Sequence, residues 1–207
     1  MRLLFVLAGD PSPTSPERVD AGRLAESLAR RGHSVRALAV RRAPDQPWAE
    51  VRRGVLVYRV PARPGPSGRP SLLRALDGLL ERTDVLVVPT SIREALPATV
   101  LARRRSVRAF LIHDADPPSS VGAGPVGRRL GMLRLAATVL AGRLADGVLA
   151  RSTDEAAASA VLRPLWDQLR LAEDPALGAA AADPAAPADG AATAFETVFQ
   201  RALDGTL

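Results

Sequence analysis

The sequence has 207 residues, of which 47% are hydrophobic but only 3% aromatic, and its formal net charge at pH 7 is +6. This length is sufficient for one complete hydrophobic core. The chain has no cysteine and only two histidines, which excludes disulfides and thiol nucleophiles and argues against a histidine-rich metal centre. The arginines are scattered in pairs among apolar helical positions, without a basic stripe or aromatic platforms, so we expect no nucleic-acid partner.

The first part of the chain predicts a strand, a helix and a second strand. An apolar strand over 3–8 is followed by a loop rich in proline. Asp20 is a suitable N-cap for the helix, and Gly32 is suited to the C′ position where the helix ends. The second strand follows over 35–40. Such a unit is a right-handed parallel crossover and predicts an α/β fold.

The next elements follow from hydrophobic periodicity. The run over 84–89, which is apolar throughout after Asp84, is typical of a central strand covered on both faces. Pro97 lies inside a predicted helix and indicates either a kink or the true start of that helix. The other predicted elements are an edge strand over 54–60, helices over 71–82, 92–104 and 126–145, strands over 107–112 and 147–150, and a helix capped by Ser152 or Thr153 that extends to Leu169. We therefore predict one Rossmann-like, doubly wound, mainly parallel sheet flanked by helices.

The C-terminal part has a different composition. Residues 173–190 form a low-complexity tract rich in alanine and proline, which predicts a linker between a domain over 1–172 and a helix over 191–207. This helix carries one apolar stripe and is expected to pack back on the domain. The stripe consists of Phe195, Val198, Phe199 and Leu203.

Two features bear on the location of the protein. The apolar start of the chain is too short for a signal peptide with a cleavage site. No uninterrupted apolar run approaches the roughly 18 residues that a membrane span requires. We therefore expect a cytoplasmic protein.

Polar residues follow the ends of several predicted strands, where open α/β sheets bind their ligands. The strand over 107–112 stops at His113 and Asp114, which are the candidates for a catalytic role. Asp114 and Asp116 could form a general-base pair or ligate a metal, but we favour a capping role for the first and a turn role for the second, and predict no metal site. The predicted crevice comprises Gly9, Asp10, Ser12, Thr14, Arg18, Thr90, His113, Asp114 and Asp116.

Several segments together carry a family resemblance. They are the run 16–35 with its Arg31-Gly32-His33 ending, the strand 54–61, the buried strands 84–88 and 110–114, and the strand 145–152. In this order they resemble the N-terminal, acceptor-binding domain of the family 4 retaining glycosyltransferases, which are two-domain enzymes of the GT-B fold. The resemblance extends over about residues 2 to 160.

The resemblance implies one half of a GT-B fold. In that family a second Rossmann-like domain holds the nucleotide sugar, and nothing in this sequence resembles it, whereas 169–177 and 194–203 are similar to the family's final helices. We therefore expect a glycosyltransferase-like protein that is inactive alone and has no cofactor of its own. A nucleotide sugar would bind only if a partner supplies the donor domain. It would be an auxiliary partner of a glycosyltransferase subunit, the acceptor-side half of a split hexosyltransferase, or a homodimer. The alternative is a small stand-alone enzyme or binding protein that uses the crevice for a nucleotide, a sugar or a glycosyl acceptor.

The resemblance also implies roles for particular residues. His113 would contact the donor sugar or the acceptor; the alternative is a strand-end histidine bonded to a neighbouring carbonyl. Where the family has a glycine pair before Glu17, this chain has residues 14–16 with a proline, so we do not expect that loop to bind phosphate. Related enzymes with lipid-linked acceptors touch membranes near the helix over 126–145, which implies peripheral membrane contact; a buried connecting helix with charged ends explains the same residues.

Overall fold

A computed structural model describes residues 1–7, 21–61, 68–113, 125–150, 152–171 and 187–206, which form an α/β structure. The elements in chain order are β1 (Arg2–Val6), α1 (Ala21–Arg30), β2 (Ser34–Arg41), β3 (Ala49–Arg52), β4 (Val55–Pro61), α2 (Gly68–Leu80), β5 (Val85–Pro89), α3 (Ala95–Arg104), β6 (Arg108–Ile112), α4 (Pro125–Leu144), β7 (Gly147–Ala150), α5 (Thr153–Ala158), a 3-10 helix (Arg163–Gln168), β8 (Leu169–Leu171) and α6 (Pro187–Leu203).

The eight strands form one sheet in the order β3-β4-β2-β1-β5-β6-β7-β8. All neighbouring pairs are parallel except β3 and β4, which are antiparallel. From β1 the chain moves to β2 and β4 on one side, and it then crosses to β5 on the other side of β1. The predicted fold class is confirmed. Successive strands are added on one side of β1 up to β4 and on the other side from β5 onward, and the boundary between β1 and β5, where this strand order reverses, marks the crevice in which such sheets bind ligands.

Hydrophobic cores lie on both faces of the sheet, because successive residues of a strand point to opposite sides. In β1, Leu3 and Phe5 face the core that α1 and α6 cover, whereas Leu4 and Val6 face the core beneath α2, α3 and α4. All five residues of β5 are buried, as the continuous apolar run predicts.

The first helix ends as its sequence predicts. Gly32 has φ +87°, a conformation that glycine adopts without steric cost. The N–H of Gly32 donates to the carbonyl of Ala29 (3.0 Å), and the N–H of His33 donates to that of Leu28 (3.2 Å). These two bonds form a Schellman motif, which turns the chain directly into β2.

The prediction that 54–60 lies at the sheet edge is wrong. β4 lies between β2 and β3, and β3 forms the edge. A two-residue turn joins β3 to β4, with positive φ at Arg53 (46°) and Gly54 (84°), as in the tightest hairpins. β3 was missed because its four residues include a glutamate and an arginine and have little strand character.

Among the predicted helices whose bounds differ in the structure, two show the cause of the difference. α3 begins at Ala95, so Pro97 lies in its first turn and marks the start of the helix. Ser152 does cap a helix, because its Oγ accepts the N–H of Glu155 at 3.2 Å. That helix ends at Ala158, however, and the hydroxyl of Ser159 then accepts the N–H groups of the next turn, which stops the helix before the residues predicted to continue it.

α6 packs against the sheet face that also carries α1. Phe195, Val198 and Phe199 are fully buried, and the rings of Phe199 and Phe110 lie 4.9 Å apart with a tilt of 57°. Leu203 is 36% exposed and does not belong to this contact. Residues 172–186 lie outside the described residues, and the division into domain, linker and helix remains a prediction.

A polar cluster also holds α6 to the end of α1. Glu196 accepts a hydrogen bond from Arg31 Nη1 at 2.8 Å, and its other oxygen lies 2.8 Å from His33 Nε2. Arg31 also donates to the hydroxyl of Thr193. Burial raises the pKa of Glu196, but the hydrogen bonds from Arg31 and His33 outweigh it, so the pKa lies below its ordinary value of 4.5.

This cluster predicts a loss of stability in acid. The stabilisation by Glu196 is complete above the ordinary pKa and is lost as the pH falls through the lowered pKa of the folded state. Denaturant unfolding of the wild type and of Glu196→Gln, from neutral pH to below pH 4.5, should show the difference in unfolding free energy shrinking as the pH falls. A difference that stays constant over this range would contradict the role of the carboxylate.

Candidate functional site

Of the predicted crevice residues, the structure describes Thr90 and His113. The others, Gly9, Asp10, Ser12, Thr14, Arg18, Asp114 and Asp116, lie outside the described residues. Thr90 follows β5 and His113 follows the neighbouring strand β6, so both stand at the carboxyl edge of the sheet, next to the point where the strand order reverses. The candidate site is therefore built from the described residues around these two.

Backbone hydrogen bonds fix both residues at this edge. The N–H of Thr90 donates to the carbonyl of Ile112 (2.9 Å), and the N–H of His113 donates to the carbonyl of Leu149 in β7 (2.9 Å). Both bonds continue the parallel ladders beyond the last paired residues of the strands. The positions of the two side chains are thus set by the sheet itself.

The two side chains contact each other. The hydroxyl Oγ1 of Thr90 lies 3.2 Å from Nδ1 of His113. Thr90 is 1% exposed and His113 5% exposed, so this polar contact is buried beneath the edge of the crevice. A hydrogen bond to one ring nitrogen fixes the orientation of an imidazole.

A cleft of about 330 Å³ opens beside Thr90. Its walls are the segment 90–96, which joins β5 to α3, and three residues of α4, namely Arg134, Ala137 and Thr138. Apart from Thr90, none of these residues was predicted from the sequence to line the crevice. The available signals were a polar segment directly after the central strand and the i, i+3, i+4 spacing on α4, which places three side chains on one helical face.

No metal centre is formed by the described part of the chain, where no group of three histidine or carboxylate side chains is placed to hold an ion.

A model of the family "Glycosyl transferase 4-like domain" matches residues 18–166. The chain belongs to this family. The resemblance to family 4 glycosyltransferases is therefore confirmed. No curated protein matches the sequence.

Solved structures show the same fold. This glycosyl transferase 4-like domain is similar to sucrose-phosphate synthase from Thermosynechococcus elongatus, with 17% identity and a TM-score of 0.50 over 83% of this chain and 47% of that protein. It is also similar to UDP-GlcNAc 2-epimerase from Methanocaldococcus jannaschii, with 13% identity and a TM-score of 0.50 over 86% of this chain and 45% of that one. The chain spans less than half the length of these proteins. The sheet corresponds to one domain of a GT-B fold.

The glycosyl transferase 4-like domain exposes much of α4 to solvent. Met132 is 73% exposed and Leu133 66% exposed, and Leu130 and Leu140 are about half exposed at 56% and 48%. The alternative of a buried connecting helix is therefore wrong for this face. None of the helices within the described ranges is long and apolar enough to cross a membrane. Peripheral membrane contact through α4 remains a prediction.

Proposed function

We propose that this chain forms the acceptor-side wall of a glycosyl-transfer site and that a second polypeptide holds the nucleotide sugar. The observation that carries this proposal is the buried Thr90–His113 pair at the carboxyl edge of a sheet that belongs to the glycosyl transferase 4-like family. In this role the chain is an auxiliary half of a hexosyltransferase and is inactive alone.

The arrangement of the elements supports an acceptor-side role. The described residues form one sheet, whose crevice lies between β1 and β5, and α6 packs back on this same sheet. The crevice is therefore a single wall, and a donor sugar needs a second wall opposite it. Proteins with a TM-score of 0.50 to this chain are about twice as long, which leaves room for such a wall outside these residues.

His113 has the properties of a group that contacts the reacting sugars. Its ring is held by Thr90 at 3.2 Å, and it stands at the end of β6, beside the strand-order reversal. A fixed imidazole can donate a hydrogen bond to a hydroxyl or accept one from it, and so can orient an acceptor for attack. We assign it this positioning role, with Thr90 acting through the imidazole.

The test compares the two histidines of the chain. The protein is co-expressed with a neighbouring glycosyltransferase gene product, and acceptor-dependent release of nucleoside diphosphate from UDP-glucose and GDP-mannose is measured for the purified complex with a panel of sugar acceptors. His113→Ala should lower turnover by roughly 10²-fold, the lower end of the effect of a positioned proton-transfer group. His33→Ala removes the contact with Glu196. Because His33 precedes β2, it lies at the opposite, amino edge of the sheet, and this substitution should leave turnover unchanged at a temperature where the variant is folded.

The result that contradicts the proposal is unchanged turnover in His113→Ala, which would reduce this histidine to a structural role. Thr90→Val gives a second measure, since it removes the hydroxyl but keeps the shape of the side chain. It should raise the KM for the acceptor more than it lowers kcat.

The cleft supports a second candidate function, in which the chain binds a small molecule by itself. Its volume of about 330 Å³ lies at the small end of the range of ligand sites. This candidate does not require a partner, and titration of the isolated chain tests it separately.

A further inference from the structure

The described residues of the cleft beside Thr90 carry an unbalanced charge. Among them are two guanidinium groups, from Arg93 and Arg134, and one carboxylate, from Glu94. Arg93 Nε lies 3.0 Å from Glu94 Oε1, so these two side chains neutralise each other. The remaining positive charge of the cleft belongs to Arg134.

Arg134 is available to a ligand. It lies in the middle of α4, a helix of 20 residues without any aspartate or glutamate. Among the described residues its guanidinium forms no ion pair, whereas seven other arginines do. A guanidinium presents parallel N–H groups that match the two oxygens of a phosphate or a carboxylate.

The other walls of the cleft suit a small hydroxylated molecule. Ser91 and Thr138 provide hydroxyl groups, of which that of Thr138 also donates to the carbonyl of Arg134 at 3.0 Å, and Ile92 and Leu96 provide apolar surface for a carbon skeleton. None of the described residues that line the cleft is aromatic, so these walls offer no platform on which a nucleobase could stack. Its volume of about 330 Å³ fits a ligand of roughly monosaccharide size.

We propose that this cleft binds a small hydroxylated anion, a phosphorylated or acidic sugar, with the anionic group on Arg134. The inference rests on the proposed function in one respect, since it identifies this ligand as the glycosyl acceptor or as its head group. Anion binding itself requires neither a donor nor a partner chain.

The experiment titrates the isolated, isotope-labelled chain by NMR with four probes. These are glucose 6-phosphate, glucuronate, glycerophosphoinositol as a lipid head group without its acyl chains, and uncharged glucose. At least one anionic probe should bind saturably and at least about 10-fold more tightly than glucose, because a charge-assisted hydrogen bond contributes more than a neutral one. The anionic probe that binds with the highest affinity shows whether the ligand is a free sugar phosphate, a sugar acid or a lipid head group.

Matched arginine variants locate the anion. Arg134→Gln should weaken binding of that probe by about 10-fold or more, and Arg93→Gln should weaken it less, since Glu94 already neutralises Arg93. Arg129→Gln removes the same charge from an exposed position of α4 that does not line the cleft, and it should leave binding unchanged. An equal loss in Arg129→Gln and Arg134→Gln would overturn the proposal.

Two further results would also overturn it, namely no binding of any anion and equal binding of glucose. Neither result bears on the proposed glycosyl transfer, which the turnover of the His113→Ala complex tests independently. A complex that transfers sugar while the isolated chain binds no anion would refute this inference alone.

Discussion

Phe199→Ala should lower the free energy of unfolding by about 3–5 kcal/mol, the usual cost of removing a fully buried phenylalanine. Phe199 is completely buried on α6, and its ring contacts that of Phe110 in β6 at a centroid distance of 4.9 Å. The substitution removes this aromatic pair and leaves a cavity between α6 and the sheet. Denaturant unfolding gives the free energy, and the thermal midpoint should fall on the order of 10 °C.

Leu203→Ala is the matched control on the same helix. Leu203 is 36% exposed, so its truncation should cost about 1 kcal/mol or less. Equal effects of the two substitutions, or an effect of Phe199→Ala below about 1 kcal/mol, would show that α6 does not pack on the sheet as described.

Gly142→Ala should destabilise the protein by about 1–3 kcal/mol, although alanine is the better helix former. Gly142 is buried in α4 against the fully buried Leu165. A Cβ at this position would lie 3.0 Å from Cδ2 and 3.2 Å from Cγ of Leu165 and would overlap with its Cδ1. Because Leu165 has no exposed surface, it can move only by displacing its own neighbours.

Gly78→Ala in α2 should have the opposite effect. A Cβ there would meet no atom within 4 Å, so the substitution should stabilise the helix by about 0.5–1 kcal/mol. Chemical denaturation should show a lower free energy of unfolding than the wild type for Gly142→Ala and a higher one for Gly78→Ala. Stabilisation by both substitutions would contradict the close approach of α4 to Leu165.

The sequence alone was sufficient to predict the elements whose own residues carry a clear pattern. β5 is a continuous apolar run, β6 is apolar after Arg108, and the Arg31-Gly32 end of α1 is fixed by one glycine in a left-handed conformation. β3 and β8 have only four and three residues, and each forms because a longer strand beside it offers unpaired backbone groups. A single sequence carries little trace of such pairing.

The candidate site likewise has one part that the sequence predicts and another that only the tertiary fold creates. His113 was predictable from its position at the end of an apolar strand, since strand ends gather at one edge of a parallel sheet. Its contact with Thr90 depends on β5 and β6 being neighbours, and these residues are 23 positions apart in the chain. The cleft was not predictable, because it combines the first turn of α3 with the middle of α4, two elements that only the tertiary fold brings together.

The acceptor-side assignment is tested most directly by where the nucleotide sugar binds. Calorimetric titration with UDP-glucose and GDP-mannose should show no saturable micromolar binding to the isolated chain and clear binding to its complex with the glycosyltransferase subunit. In that complex His113→Ala should leave nucleotide-sugar affinity nearly unchanged while it lowers turnover. Micromolar binding of either nucleotide sugar to the isolated chain, at one molecule per chain, would contradict the assignment.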